Sequence, residues 1–130
     1  MSGLAALGRN VMPFELTDEE GKFLIKLARS TVEQYLESGK AAKPPKEIPK
    51  KLFEHCGVFV TINTVLHGEK ELRGCIGYPY PTSPLVEAVI DSAINAATQD
   101  PRFEPLTLDE LSQSYQRFSE THLLIVLTLS

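Results

Sequence analysis

The chain has 130 residues, of which 42% are hydrophobic and 23% charged, and its formal net charge at pH 7 is −4. This length suits a single domain that can bury one core without a metal or a disulfide. The composition is that of an ordinary globular protein and lacks the basic balance of a nucleic-acid binder, so we expect no nucleic-acid partner. No apolar run approaches the roughly 18 residues that cross a bilayer, so we expect no membrane association and a cytoplasmic location.

The first helix is predicted from a capping box. Residues 1–12 are interpreted as an extension or tag-like segment, and residues 13–130 as one domain. Thr17 and Glu20 have the spacing of a capping box, and Gly39 supplies a stop, which predicts a helix over about 18–38. The apolar positions at helical spacing are Phe23, Leu24, Leu27, Ala28, Thr31, Val32, Tyr35 and Leu36.

A lysine- and proline-rich stretch follows this helix. Residues 40–51 contain five lysines and three prolines but a single acid, Glu47. The pattern is typical of a solvated, partly polyproline linker, or else of a contact for an acidic partner. Lys50 to Glu54 is expected to form one further helical turn.

A β-hairpin is predicted next. Residues 57–65 are rich in β-branched side chains that alternate along the chain, His67 to Glu69 reads as a turn, and residues 71–76 form the returning strand. Three prolines make residues 77–84 a stiff loop. Ser83 is then expected to cap a helix over about 84–98, with Pro84 at its first position. This helix is apolar almost all round, which indicates a buried central helix.

The last third of the chain predicts a turn, a short helix and a final apolar segment. Asp100 to Phe103 is a turn that ends the central helix, and Thr107 with Glu110 forms a second capping box. Residues 123–129 form either a final strand or an apolar tail. The predicted fold class is α+β, a largely antiparallel sheet packed against two main helices.

The segment L-R-G-C-I-G, residues 72–77, carries the best candidate for chemistry. Cys75 is the candidate nucleophile, because Arg73 could stabilise its thiolate, whereas Gly74 and Gly77 permit either the close approach of a ligand or tight turns. Cysteine is also among the residue types most often buried, so a packed structural role stays open. A disulfide with Cys56 is a further alternative.

Catalysis by Cys75 would need a base, for which the candidates are His55, Asp100 and Glu71. Asp100 also suits a cap or turn, and Arg102 could pair with it or bind an anion. Tyr78 and Tyr80, in the proline loop, could line a pocket or pack against the prolines. The histidines lack zinc-ligand spacing, so we predict no metal, and nothing in the sequence indicates a cofactor.

Four segments occur in an order that resembles the AMMECR-type domain family. They are G-V-F-V-T (57–61), E-L-R-G-C-I-G (71–77), P-L-V-E-A-V-I (84–90) and D-P-R-F-E-P-L-T-L-D-E-L (100–111). The resemblance runs from about Pro13 to Leu111 and is closest to archaeal and bacterial members. It implies an α+β domain with an antiparallel sheet, an intracellular location, no agreed activity, and an association with MEMO-type proteins and radical-SAM enzymes.

After Leu111 the chain departs from the family pattern. Members usually continue with a strand like E-V-S-V-L-T and a glycine-rich second half, whereas residues 112–130 read S-Q-S-Y-Q-R-F-S-E-T-H-L-L-I-V-L-T-L-S. We therefore expect the C-terminal part to be incomplete, through truncation or a change of frame, and a hydrophobic sheet edge to be left exposed.

Two hypotheses of function remain. The first is an interaction module that presents the L-R-G-C-I-G surface to a MEMO-type or radical-SAM partner. The second is a small enzyme in which Cys75 is a reactive thiol and Arg73 and Arg102 bind an anionic substrate. Whether the protein is an enzyme, its substrate and its oligomeric state are not predicted. The candidate binding residues are Arg73, Gly74, Gly77, Tyr78, Asp100 and Arg102.

Overall fold

A computed structural model describes residues 16–78, 80–113 and 121–129, so the segment predicted to be an extension, residues 1–12, lies outside the described residues. An antiparallel sheet packs on one face against two long helices, which confirms the α+β prediction. None of the described helices is long and apolar enough to span a membrane. In chain order the elements are α1 (Asp18–Ser38), a 3₁₀ helix (Lys50–Phe53), β1 (Val58–Leu66), β2 (Glu69–Tyr78), α2 (Leu85–Thr98), α3 (Leu108–Gln113) and β3 (Thr121–Leu129).

Helix α1 begins and ends as the sequence predicts. The Glu20 backbone N–H donates to Thr17 Oγ1 at 3.1 Å, and the Thr17 N–H donates to Glu20 Oε1 at 2.8 Å, which completes the capping box. Gly39 ends the helix in a left-handed conformation, with φ of 75°, and its N–H donates to the Tyr35 carbonyl. Lys51 pairs with Glu20 at 2.9 Å and ties the end of the lysine-rich stretch to the start of α1.

Helix α2 is the buried central helix, but the prediction that Ser83 caps it is wrong. Pro84 is the N-cap, with extended backbone angles, and no side chain caps the helix. The backbone replaces the cap: the first helical N–H, of Leu85, donates to the Glu54 carbonyl at 2.8 Å, and the Ser83 carbonyl accepts from the Cys56 N–H at 3.2 Å. The first N–H group of α2 thus finds its hydrogen-bond acceptor in the segment before β1.

The predicted hairpin is present, and its second strand is longer than expected. His67 and Gly68 both have positive φ, 52° and 81°, which is the pattern of a type I′ two-residue turn. The strand order is β2-β1-β3, and both neighbours of β1 are antiparallel to it. Residues 123–129 therefore belong to a strand, so the alternative of an apolar tail is excluded.

One irregularity decides which way the side chains of β2 face. Ile62 pairs with Gly74 but Asn63 pairs with Leu72, so Arg73 is an extra, bulged residue. A regular hairpin continued from this turn would place Cys75 opposite Val60, on the side of the sheet that faces the helices. The bulge shifts the register by one residue and places Cys75 opposite Thr61 instead.

The two faces of the sheet differ sharply in burial. The face toward the helices is buried along β1 and β3, at Val58, Val60, Ile62, Leu123, Ile125, Leu127 and Leu129. The opposite face, which we call the open sheet face, is buried at Val65 near its end but only half-buried at Phe59, Thr61, Asn63, Cys75, Leu124, Val126 and Thr128. Cys75 lies on this half-exposed surface, on the edge strand β2.

Gly74 lets the backbone of α2 lie directly against β2. A Cβ added at Gly74 would collide with the backbone carbonyl oxygen of Ala96, near the end of α2. A backbone carbonyl cannot swing aside as the end of a side chain can, so only glycine fits between the strand and the helix. Gly77 leaves comparable room for Phe59 on the neighbouring strand.

We expect Gly74→Ala to lower the free energy of unfolding by about 1–3 kcal/mol, because the added methyl group must push α2 away from the sheet. Urea titration followed by far-ultraviolet circular dichroism would measure the loss. Glu71→Ala, at an exposed position of the same strand, is the matched control and should change stability by no more than about 0.5 kcal/mol. Equal stability of Gly74→Ala and wild type would contradict the contact with Ala96.

Candidate functional site

Cys75 is a free, half-buried thiol on the open sheet face. Its Sγ lies 3.2 Å from Thr61 Oγ1, the hydroxyl of the residue opposite it on β1. Cys56 is not in a disulfide either; it is buried, and its thiol donates to the Gly57 carbonyl at 3.4 Å. The two cysteines therefore do not form the disulfide that the sequence left open.

Asp100 fixes the backbone at Cys75. Its Oδ2 accepts the Cys75 backbone N–H at 3.0 Å, and its Oδ1 accepts the Arg102 N–H at 3.0 Å. The Asp100 carbonyl also accepts from the Phe103 N–H, so the predicted turn at 100–103 is confirmed. The side chain is only 3% exposed. A buried carboxylate thus joins the turn after α2 to the outer edge of β2.

Arg102 is the positive charge that accompanies this carboxylate. Its Nε and Nη2 donate to the two Asp100 oxygens at 3.0 and 2.7 Å, as a guanidinium fork does, and its outer surface stays open, at 56% exposure. These hydrogen bonds hold the pKa of Asp100 well below its usual value, although burial raises it. The pKa of Arg102 is raised, mainly by its hydrogen bonds to Asp100, and this shared carboxylate also brings the guanidinium near Cys75.

Arg73 does not serve as the partner of the thiol. Its Nε and Nη2 donate to both carboxylate oxygens of Glu110 at 2.9 Å, and its Nη1 donates to the Glu104 carbonyl at 2.8 Å. Burial raises the pKa of Glu110, but the hydrogen bonds from Arg73 and from the Thr107 N–H outweigh it and lower that pKa. The guanidinium that the sequence hypothesis placed beside Cys75 instead holds α3 and the segment before it against the bulge.

Of the remaining candidate residues, some contact other elements of the fold and one lies exposed at the surface. Gly74 and Gly77 both lie within β2 and neither has a positive φ, so the alternative of tight turns at these positions is excluded. Tyr78 Oη accepts a hydrogen bond from Asn95 Nδ2 on α2 at 2.8 Å. Tyr80 is 72% exposed, and Pro79 between the two tyrosines lies outside the described residues.

Of the three candidate bases, the structure brings one to Cys75. Asp100 contacts the backbone N–H of Cys75, as described above. His55 is exposed and forms an isolated bridge with Pro84, and Glu71 is exposed opposite Thr64 on the far side of the bulge. Within residues 16–78, 80–113 and 121–129, no three histidine, cysteine or acidic side chains are grouped closely enough to hold a metal ion.

Sequence reasoning missed three residues of the site. The sequence predicts that Thr61 lies in a strand but not that it contacts Cys75. The pairing of these two residues depends on a bulge that turn length alone does not reveal. Glu110 was identified only as a helix cap, yet its carboxylate serves Thr107 and Arg73 together. Asn95, the hydrogen-bond partner of Tyr78, lies on α2, and the apolar pattern of this helix does not indicate a polar contact there.

The fold and the site define a small α+β domain in which a half-buried cysteine lies on the open face of a three-stranded sheet, with its backbone held by a buried aspartate that pairs with an exposed arginine. The chain belongs to the AMMECR1 family, whose sequence model matches residues 25–118.

Relatives from archaea are about half identical to it over the segments that align. Protein PH0010 of Pyrococcus horikoshii is 50% identical over 101 residues, which is 77% of this chain and 49% of that protein. A protein of Thermofilum pendens is 52% identical over 102 residues, 74% of this chain and 48% of its own length. The crystal structure of PH0010 is similar with a TM-score of 0.76 and 44% identity, over 89% of this chain and 53% of that one. The chain thus spans about half the length of the relatives it matches.

The pair formed by Asp100 and Arg102 predicts a dependence of stability on pH. Because the pKa of Asp100 is depressed in the folded protein, its contribution to stability is present above its usual pKa of 3.8 and is lost as the pH falls through the folded value. We expect the free energy of unfolding of wild type to fall more steeply below pH 3.8 than that of Asp100→Asn. Urea titrations at pH values on both sides of this point would measure the difference.

Asp91→Asn is the matched control, because Asp91 is exposed on α2. This variant should keep the pH dependence of wild type. If Asp100→Asn and Asp91→Asn gave the same profile as wild type, the buried ion pair would not be the source of the acid sensitivity.

Proposed function

We propose that this protein is a cytoplasmic interaction module that presents the open sheet face, including Cys75 on the edge strand β2, to a protein partner. The observation that supports this most directly is the state of Asp100. Both of its carboxylate oxygens accept hydrogen bonds from Arg102, and each also accepts a backbone N–H, from Arg102 or from Cys75. The carboxylate is therefore committed to structure and is not available as a base for the thiol.

The open sheet face has the properties of a recognition surface. Phe59, Val126 and Cys75 form an apolar centre that is neither fully buried nor charged, with the Thr61 hydroxyl among them. The exposed guanidinium of Arg102 supplies a polar edge. Recognition surfaces of proteins commonly combine an apolar centre with a charged or polar rim in this way. As the partner we propose a MEMO-type protein or a radical-SAM enzyme, the classes that the family resemblance implies.

Binding measurements with purified candidates would test this. We expect Val126→Glu to weaken binding of a MEMO-type or radical-SAM protein at least tenfold, about 1.4 kcal/mol, because a carboxylate would be buried in the apolar centre. Cys75→Ser should leave the affinity within about twofold, since the serine hydroxyl can still meet Thr61. Isothermal titration calorimetry would give the dissociation constants.

Asp91→Arg, a change of charge on an exposed position of α2, is the control and should bind as wild type does. Binding that survives Val126→Glu but is lost in Cys75→Ser would reject the interaction module in favour of thiol chemistry. Failure of both classes of partner to bind would reject the partner assignment.

A second candidate function, a small enzyme that uses Cys75 as a reactive thiol, is favoured by one observation. Asp100 binds both the Cys75 backbone N–H and the Arg102 guanidinium, which brings an exposed positive charge near the thiol, where it can stabilise a thiolate and attract an anionic substrate. In this hypothesis Arg102 alone has the role that the sequence divided between Arg73 and Arg102, because Arg73 is bound to Glu110.

The two arginines can be separated by alkylation of Cys75 with iodoacetamide in a Cys56→Ser background. We expect Arg102→Ala to slow alkylation near neutral pH severalfold, because the thiolate loses its neighbouring positive charge. Arg73→Ala should leave the rate unchanged as long as the protein stays folded, which a thermal unfolding curve would verify. A slower reaction in Arg73→Ala and an unchanged one in Arg102→Ala would overturn the assignment.

A further inference from the structure

The guanidinium of Arg102 uses only one of its edges within the fold. Its Nε and Nη2 donate to the two carboxylate oxygens of Asp100, at 3.0 and 2.7 Å. A guanidinium carries five N–H donors in a planar fork, so one hydrogen of Nη2 and both hydrogens of Nη1 are left on the outer edge. None of these hydrogens is donated to an acceptor among the described residues, and 56% of the side chain is exposed.

The open edge of Arg102 is nevertheless held in a fixed orientation. The Asp100 carboxylate that holds the inner edge is itself fixed by the backbone N–H groups of Cys75 and Arg102. The ring of Phe103 lies against one face of the guanidinium, with Arg102 Cζ 5.4 Å from the ring centroid, which is a cation–π contact. Much of the conformational entropy that an arginine side chain loses on binding a ligand is therefore already lost in the free protein.

Arg73 shows the opposite situation at the same edge of the sheet. Its Nε, Nη1 and Nη2 all donate, to the carboxylate of Glu110 and to the carbonyls of Glu104 and Pro105, and its side chain is only 16% exposed. Of these two arginines, Arg102 alone keeps donors and open surface for a further acceptor. Its outer edge is thus a binding capacity that the fold does not use.

The charges around this edge favour a carboxylate as the acceptor. The two oxygens of a carboxylate match the parallel N–H groups of Nη1 and Nη2. A phosphate monoester also fits this fork, but it carries about two negative charges at pH 7. The Asp100 carboxylate is ionised on the other edge of the same guanidinium, because the hydrogen bonds from Arg102 hold its pKa low. One guanidinium between two carboxylates is therefore better balanced than one between a carboxylate and a phosphate.

We propose that Arg102 binds an aspartate or glutamate side chain of the protein that docks on the open sheet face. One guanidinium then bridges two carboxylates, that of Asp100 on its inner edge and that of the partner on its outer edge. This inference rests on the proposed interaction module and adds the chemistry that the partner must present, an acidic side chain next to an apolar patch. Charged contacts at the rim of an interface determine its register and specificity more than its affinity.

Calorimetric titration of a MEMO-type or radical-SAM protein tests the role of Arg102. Arg102→Lys keeps a positive charge beside Asp100 but has no second planar edge, so we expect binding to weaken about fivefold. Arg73→Lys is the matched control and should change the dissociation constant by no more than about twofold, because this side chain meets Glu110 and not the partner. Thermal unfolding curves would verify that both variants are folded.

The titration separates this inference from the proposed function on which it rests. If Val126→Glu weakens binding but Arg102→Lys binds as wild type does, the interaction module stands and the carboxylate contact is overturned. If neither class of partner binds, the partner assignment fails, and the chemistry of the Arg102 edge is decided on the wild-type protein alone.

Sodium acetate is the probe for that second measurement, with sodium chloride at equal ionic strength as the reference. We expect acetate to shift the guanidinium signals of Arg102 in nuclear magnetic resonance spectra and to leave those of Arg73 unchanged, since all three nitrogens of Arg73 already donate. Inorganic phosphate at the same ionic strength should shift the Arg102 signals less than acetate does. Equal responses of the two arginines to acetate, or a larger response of Arg102 to phosphate, would overturn the assignment.

Discussion

The contact between Gly74 and the backbone of α2 is the constraint on which the rest of this structure depends. The central helix can approach the sheet this closely only where β2 has no side chain, and the Ala96 carbonyl lies at that point. The one-residue bulge at Arg73 is what turns position 74, and not 75, toward the helix. Glycine, bulge and helix contact are therefore one feature, and the direction in which Cys75 points is a consequence of it.

Once Cys75 faces away from the core, its surroundings follow from the same strand. The outward N–H of Cys75 at the edge of the sheet needs an acceptor, and the turn after α2 supplies the carboxylate of Asp100. A buried carboxylate in turn requires a positive partner, which Arg102 provides from two residues away. Arg73, as the bulged residue, is free of the ladder and reaches Glu110 instead. Arg73, Gly74 and Gly77 of the L-R-G-C-I-G segment thus each have a structural role that depends on the residue type.

The sequence predicted the secondary-structure elements well, but it did not predict the contacts between them. Both capping boxes, the hairpin with its His67–Gly68 turn, and the apolar stripe of α2 are local signals, and the structure confirms them. The predicted cap of α2 was wrong because the acceptor of its first N–H group, the Glu54 carbonyl, lies some thirty residues earlier in the chain. The partners of Arg73 and Cys75 were hidden for a similar reason, since a bulge has no dependable signature in one sequence.

The structural roles of residues in the L-R-G-C-I-G segment change how this motif is interpreted. A cysteine beside an arginine suggests a catalytic interpretation, but here the adjacent arginine is bound to Glu110 on α3. Asp100, which contacts the backbone N–H of Cys75, has both carboxylate oxygens in structural hydrogen bonds. What these interactions accomplish is to hold an apolar, half-exposed sheet face in a fixed shape around Cys75. Rigid presentation of a surface lowers the entropic cost of binding, so the same contacts that give a structural account of the motif also serve recognition. Arg102 is the exception, because its outer face remains open beside the thiol.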